Sequence, residues 1–321
     1  MKKIIGSIFV LFISLMTFSC TNQTIFYDVY VTVYPIQYVV EEIFKGTTLT
    51  VGIVPGVSSH QDSIDWSPKE IIAMTEASYL FYVGANYDQY VDFQINSIFT
   101  NKPVELVKIE DETSYIQFIE GVVHVHEDEV TTESEVNLLG NDPHFWISPL
   151  KVQQVATLVY DKLILKYPDI KDLMKANYDQ LILNLQTLSD SFKEVIDQSE
   201  KTILTSTNLY GYLAYDYGLL YLSISPGYHE ESEQFTTQEK EEIVAEAILH
   251  EIQYIIYERN TTSPLSNAVF TTLENLGYNP IKLEYDILQS LTNDEKAEGK
   301  DYITVMYTNL ELLKLATGYI E

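Results

Sequence analysis

Cysteine is almost absent from this 321-residue chain, in which Cys20 is the only one. A single cysteine cannot form an internal disulfide, so the fold must depend on ordinary hydrophobic cores, for which 46% of the residues are hydrophobic. Basic residues are also scarce: 19 Lys and Arg stand against 47 Asp and Glu, and the formal net charge is −28. Such a negative chain repels phosphate backbones, which excludes nucleic acid as an expected partner, and it attracts cations without selecting among them.

No apolar run is long enough for a comfortable membrane span. The N-terminal run, residues 4–18, has about 15 residues, whereas a helix needs roughly 20 to cross a bilayer. It follows Lys2 and Lys3, a pattern typical of a secretory signal, and we expect a signal peptide over residues 1–19. The segment ends in Ser19-Cys20, which resembles a bacterial lipobox, although Thr17 stands where leucine is usual. We therefore expect an extracytoplasmic protein anchored to the cell membrane by a lipid at Cys20; a plain signal peptide with an incidental cysteine is the alternative.

Strand and helix patterns alternate along both halves of the chain. Predicted strands occupy residues 26–33, 49–54, 79–83 and 104–109 in the first half, and residues 202–206, 219–224, 254–257 and 281–285 in the second. Between the halves, an apolar periodicity without Gly or Pro over residues 169–199 predicts a helix of about 45 Å. The alternation predicts an α/β fold with a mostly parallel sheet, flanked by helices, in each lobe. We expect an N-terminal lobe at 20–168, a linking helix at 169–199 and a C-terminal lobe at 200–321.

Two of the six histidines stand where such a fold would place a ligand site. His60 follows the predicted strand at 49–54, and His144 precedes a helical pattern that starts at Pro149. Ligands of open α/β sheets collect outside the carboxyl ends of the strands, and imidazole is the commonest nitrogen ligand for zinc and related ions. A single loop histidine is more often solvated or capping, so the prediction of a metal site comes from the pair.

Three segments carry a family resemblance. They are Val54-Pro55-Gly56-Val57-Ser58-Ser59-His60, Asp142-Pro143-His144-Phe145-Trp146 and Tyr285-Asp286-Ile287-Leu288. The chain resembles the zinc- and manganese-binding solute-binding lipoproteins of bacterial ABC metal importers, from about residue 26 to residue 319. The resemblance implies two α/β lobes joined by one rigid long helix, with the metal in the cleft between them. It also implies an ABC importer permease as partner, and we expect a monomer that is not an enzyme.

The resemblance implies His60, His144 and Asp286 as metal ligands, but it leaves one position unfilled. The family places a His or Glu after the strand that opens the second lobe, and here that position is Thr207, whose hydroxyl is a poor ligand. One hypothesis is that His229, which follows the next strand, replaces it. Water held near Thr207 could complete the shell instead, or metal binding could have been lost.

The ion expected at this site is Zn²⁺, because two or three nitrogens with one carboxylate suit zinc, whereas manganese sites contain more oxygen. Mn²⁺ is the alternative. The acidic segment 110–142 contains His124 and His126, and it is either a loop that gathers metal or simply a solvated acidic loop.

Two other functional classes can be considered. A metal-dependent hydrolase would need an open coordination position and a general base such as Glu230 or Glu231, but the sequence has no His-Glu-x-x-His motif. A two-lobed binder of a chelated or organic ligand would not need the Asp-Pro-His segment. Capture of a metal ion is therefore the favoured interpretation.

Overall fold

The computed structural model describes residues 25–57, 63–121, 140–199, 201–230 and 236–319. Within these ranges the strands form two four-stranded sheets, and every strand pairing in them is parallel. The predicted α/β class with two lobes is confirmed. The predicted signal peptide and Cys20 lie outside the described residues.

The first sheet contains the strands β1 (Val29–Val31), β2 (Val51–Ile53), β3 (Tyr79–Tyr82) and β4 (Glu105–Lys108). Their order across the sheet is β2-β1-β3-β4. The helices that accompany these strands are α1 (Tyr34–Ile43), α2 (Pro68–Thr75) and α3 (Gln89–Asp92). Proline in the first turn of both α1 and α2 suits a position whose N–H has no partner within the helix.

The sequence from Tyr87 to Phe99 predicts one helix, and the structure bears this out only in two separate parts. The structure has only α3 there, followed by a separate wider helical turn at Ile95–Phe99. The carboxylate of Asp88 accepts hydrogen bonds from the N–H groups of Val83 and Gly84, at 2.7 and 2.9 Å. Asp88 therefore closes the turn after β3 instead of lying inside a helix.

Two long helices follow, α4 (Pro149–Lys166) and α5 (Lys171–Asp197). The 27 residues of α5 correspond to about 40 Å at 1.5 Å per residue. Its buried side chains recur every three or four positions, as in Leu181, Leu185, Leu188 and Phe192. The long helix predicted from this periodicity is confirmed, whereas the lobe boundaries on either side of it stay predictions.

The second sheet repeats the topology of the first. Its strands are β5 (Ile203–Thr205), β6 (Tyr221–Ser223), β7 (Tyr254–Glu258) and β8 (Ile281–Tyr285), and its helices are α6 (Gly211–Tyr217), α7 (Thr237–Leu249), α8 (Pro264–Asn275), α9 (Asn293–Ala297) and α10 (Tyr302–Thr317). The order β6-β5-β7-β8 means that the chain leaves β5 toward one side and returns on the other side at β7. Such a reversal opens a crevice at the carboxyl ends of the two central strands.

The hydrophobic core is shared between the lobes. One buried cluster runs through α1, α4, α5 and α10, with members such as Val39, Leu158, Leu188 and Leu313. Each sheet covers a smaller cluster on its other face. Because the largest core crosses from one sheet to the other, the lobes are packed together and not merely tethered.

The segment that begins α4 is tied to the second lobe by polar contacts. The hydroxyl of Ser148 donates to Asp216 Oδ2 in α6 at 2.6 Å, and Lys151 Nζ lies 3.4 Å from Asp216 Oδ1. Both charged side chains are about 95% buried, since their exposed fractions are 5% and 4%. Removing one partner of a buried ion pair leaves the other charge uncompensated.

We expect Asp216→Asn to lower the free energy of unfolding by about 3–5 kcal/mol, because it leaves the Lys151 ammonium buried without its counter-charge. Chemical denaturation measures the change. The matched control is Asp179→Asn, which removes the exposed Lys175–Asp179 pair on α5 and should leave the unfolding midpoint almost unchanged. Equal shifts for both variants would contradict the assigned role of the buried pair.

Candidate metal centre

His144 is the predicted ligand that the structure places most clearly. It precedes the short helical turn Phe145–Ile147 that leads into α4, and its side chain is fully buried. Its ring Nδ1 lies 2.9 Å from Asp142 Oδ1, and its backbone N–H donates to the same oxygen at 2.9 Å. Since a carboxylate oxygen accepts, Nδ1 carries the proton in this pair, and Nε2 is the nitrogen with a lone pair for a metal.

Aromatic rings surround the imidazole of His144. Ring centroids lie 4.7 Å away for Tyr228, 5.3 Å for Trp146 and 6.1 Å for Tyr87, all in edge-on arrangements. Tyr87 belongs to the first lobe and Tyr228 to the second, so the imidazole lies at the junction of the lobes. The packing restricts the ring to one orientation, as a preorganised metal ligand requires.

The junction is fixed further by hydrogen bonds around His144. The Tyr212 hydroxyl of α6 donates to the Asp142 carbonyl at 2.7 Å. The indole N–H of Trp146 donates to the Ile287 carbonyl after β8 at 2.9 Å, and the Tyr302 hydroxyl donates to the Trp146 carbonyl at 2.7 Å. The His144 segment therefore contacts elements of the second lobe on several sides.

On the second lobe, the crevice at the ends of β5 and β7 contains a polar pair that the sequence did not predict. Thr207, which follows β5, donates its hydroxyl proton to the carboxylate of Glu258, the last residue of β7. Burial raises the pKa of the Glu258 carboxyl above its ordinary value, and the hydrogen bond from Thr207 acts against that rise. Asn208, next to Thr207, donates its N–H to the Gly227 carbonyl at 2.9 Å, and the following residue, Tyr228, contacts the imidazole of His144.

Asp286, the predicted carboxylate ligand, has other partners in the structure. Its Oδ2 pairs with the Arg259 guanidinium, and its Oδ1 accepts the Leu288 N–H at 2.9 Å. Arg259 also pairs with Glu295 of α9. The three side chains form one network at the end of β8, and the structure does not bring the Asp286 carboxylate to the imidazole of His144.

His229 is not brought to His144 either. Its side chain is exposed, whereas its neighbour Tyr228 contacts the imidazole. Glu230 bends away to the start of α8, where its carboxylate accepts the N–H groups of Leu265 and Ser266 at 2.8 and 3.2 Å. The loop after β6 therefore turns an aromatic ring, and not an imidazole, toward the junction.

The remaining predicted residues cannot be placed. His60 lies in the segment 58–62, and His124 and His126 in the segment 122–139, outside the described residues. Among the residues that the structure does describe, no three His, Cys, Asp or Glu side chains lie close enough to hold a metal ion together. The ligand set of His60, His144, His229 and Asp286 therefore stays a prediction. None of the helices in the described ranges is long and apolar enough to cross a membrane.

A pair of α/β lobes with a buried histidine at their junction defines a two-lobed protein of the metal-binding type that the sequence suggested. The model of the family described as "ZnuA: Zinc-uptake complex component A periplasmic" matches residues 29–316, and the chain belongs to this family.

Known proteins support the assignment. The chain is 27% identical over 319 residues to the "Zinc-binding lipoprotein AdcA" of Streptococcus pneumoniae, covering 95% of this chain and 59% of that protein. It is 25% identical over 286 residues to the "High-affinity zinc uptake system protein ZnuA" of Bacillus subtilis, covering 88% and 85%. The chain spans little more than half the length of its streptococcal relatives.

Among solved structures, the Zn(II)-bound ZnuA-like domain of Streptococcus pneumoniae AdcA superimposes with a TM-score of 0.68 at 24% identity. The match covers 90% of this chain and 98% of that domain. This likeness shows that the two chains share a fold.

The network around Arg259 predicts how stability depends on acid. Hydrogen bonds from Arg259 and from the start of α9 lower the pKa of Glu295 from 4.5 to about 2. A carboxyl whose pKa is lowered by folding stabilises the folded state above its unfolded pKa, and this contribution is lost as the pH falls toward the folded value.

We therefore expect Glu295→Gln to be less stable than the parent near neutral pH, and the difference in unfolding free energy to shrink as the pH falls from about 4.5 toward about 2. Glutamine can still close the capping turn of α9, so the substitution isolates the charge. Urea unfolding at a series of pH values measures the difference, with Glu298→Gln at the exposed end of α9 as control. A difference that does not change with pH would contradict the assignment.

Proposed function

We propose that this protein captures Zn²⁺ outside the cytoplasm and delivers it to the membrane permease of an ABC importer. The observation that carries the proposal is the His144–Asp142 pair. A fully buried imidazole, with Nδ1 held by a carboxylate at 2.9 Å, lies at the junction of the two lobes. This arrangement is typical of a metal-binding histidine, whose second nitrogen is oriented toward the ion.

Family membership and the names of the relatives support zinc as the cargo. The streptococcal and Bacillus relatives are named for zinc binding and zinc uptake. Imidazole nitrogen combined with one carboxylate is also the donor set that suits zinc better than manganese. We propose that His60 is the partner of His144 in binding the ion and that the second lobe adds a carboxylate. Asp286 and His229 stay the ligands that the sequence predicts.

We further propose that the mature chain is a monomer anchored by a lipid at Cys20. The support is the signal-like segment that ends in Cys20, together with the pneumococcal relative, which is named as a lipoprotein. Such an anchor would keep the protein beside its permease on the extracytoplasmic face of the membrane.

A metal-dependent hydrolase is the less favoured function. Its proposed base, Glu230, accepts two backbone N–H groups at the start of α8 and so contributes to structure there. We therefore propose that the metal is bound and released without turnover of another substrate. Stoichiometric zinc binding without hydrolysis of ester or peptide substrates is the expected outcome.

The zinc site is tested by competition with a chromophoric chelator. We expect His144→Ala to weaken zinc binding by orders of magnitude, because a strong nitrogen ligand is lost. His250→Ala is the matched control, since His250 lies at the exposed C-terminal end of α7, and its removal should leave affinity unchanged. Parallel titrations with Mn²⁺ compare the two ions. Zinc binding by a folded His144→Ala protein at parental affinity would refute the site.

A second substitution tests the orientation of His144. We expect Asp142→Asn to weaken zinc binding by about 10–100-fold, because partners that orient a ligating histidine typically contribute that much. The same chelator competition measures it, and circular dichroism verifies that the variant is folded. An unchanged affinity would show that Asp142 serves the fold alone.

A further inference from the structure

We propose that Glu258 is the ligand of the second lobe that compensates for the threonine at position 207. The inference rests on the proposed zinc capture and names a residue of that same site. It depends on four observations: the position of Glu258 in the sheet, its burial, its hydrogen bond with Thr207, and the engagement of the other candidate ligands elsewhere.

The position of Glu258 is where this topology places ligands. Strands β5 and β7 are the central pair of the second sheet, and the chain reverses its direction of travel across the sheet between them. Thr207 follows one strand and Glu258 ends the other, so their hydrogen bond spans the mouth of the crevice.

The first sheet has the corresponding feature between β1 and β3. There, Thr32 after β1 donates its hydroxyl proton to Asp88 after β3 at 2.7 Å. Asp88 adjoins Tyr87, whose ring contacts His144. Thr207, the partner of Glu258, precedes Asn208, whose N–H donates to the Gly227 carbonyl at 2.9 Å, next to the Tyr228 ring that contacts His144. The crevices of both sheets therefore lie beside the same imidazole.

The burial of Glu258 calls for a positive charge nearby. Its side chain is only 4% exposed, and a buried carboxylate is costly unless it is paired or coordinates a metal. The next residue, Arg259, directs its guanidinium to Asp286 and Glu295 instead. Within the described ranges, no Lys or Arg forms an ion pair with Glu258. A divalent cation bound between Glu258 and His144 would supply the missing charge.

The hydrogen bond from Thr207 gives that threonine a role of its own. A hydroxyl that donates to a carboxylate fixes the orientation of that carboxylate, as the outer partners of metal ligands do. Thr207 would then position a ligand from the neighbouring strand without binding the ion itself. A ligand at Glu258 in place of one at position 207 would keep the metal donor of the second lobe at the same crevice.

The other candidates are engaged elsewhere. Asp286 is neutralised by Arg259, and the side chain of His229 is exposed while Tyr228 contacts His144. Asp286 could bind a metal only by giving up its pairing with Arg259. Glu258, by contrast, is held at the crevice of the second sheet by its hydrogen bond with Thr207.

The test compares Glu258→Gln with Asp286→Asn in the full chain by chelator competition with Zn²⁺. Both substitutions keep the shape of the side chain and remove its charge. We expect Glu258→Gln to weaken binding by about 100-fold or more, beyond the 10–100-fold typical of outer partners, and Asp286→Asn to stay close to the parent. The reverse ranking, or equal affinity of Glu258→Gln and parent, would overturn the inference.

A spectroscopic measurement separates a ligand from a structural residue. Co²⁺ substituted for Zn²⁺ absorbs visible light in a way that depends on its ligands, so loss of the Glu258 carboxylate should change the spectrum at saturating Co²⁺. Weaker binding with an unchanged spectrum would mean that Glu258 only supports the fold, which also overturns the inference. If the parent itself binds no zinc, the proposed function fails; if the parent binds and Glu258→Gln binds equally, only the present inference fails.

Discussion

The buried hydrogen bond between His144 and Asp142 is the interaction on which the rest of the site depends. It selects the ring nitrogen that is available to a metal, and the same carboxylate oxygen also accepts the His144 backbone N–H. Because the segment continues into α4, where Ser148 and Lys151 contact Asp216 of the second lobe, the imidazole is held by both lobes at once. A metal ligand held in this way would bind an ion without first losing the conformational entropy of its side chain.

The two sheets share one feature at the carboxyl ends of their central strands. Each has a reversal in strand order at its centre, and at each reversal a threonine donates to a buried carboxylate: Thr32 to Asp88, and Thr207 to Glu258. In the first lobe the carboxylate also accepts two backbone N–H groups, so it is satisfied by the fold. In the second lobe, no cationic side chain in the described ranges pairs with the buried Glu258, which leaves a place for a cation.

Much of the fold could be predicted from the sequence because the signals were periodic. The buried positions of α5 follow a helical repeat, and the strands of both sheets are short apolar segments between turn residues. The start of the helical region after β3 could not be predicted, because Asp88 accepts hydrogen bonds from the preceding backbone instead of entering the helix.

The site was harder to predict than the fold. His144 stood out through its motif, whereas the orientation of Tyr228 and His229 depends on the path of a loop that no periodicity records. Glu258 ends the strand beside β5, and neighbouring strand ends share one crevice, so its position was the signal that could have identified it. The pairing of Asp286 with Arg259 depends on tertiary contacts across 27 positions, and no local pattern reports it.

The central claim is that the junction of the lobes holds a zinc ion. Anomalous diffraction at the zinc absorption edge, from crystals of the zinc-loaded full chain, tests it most directly. The account predicts one strong peak at about 2.0–2.2 Å from His144 Nε2 and from a Glu258 carboxylate oxygen. Zinc found only at exposed carboxylates, with none at His144, would contradict it.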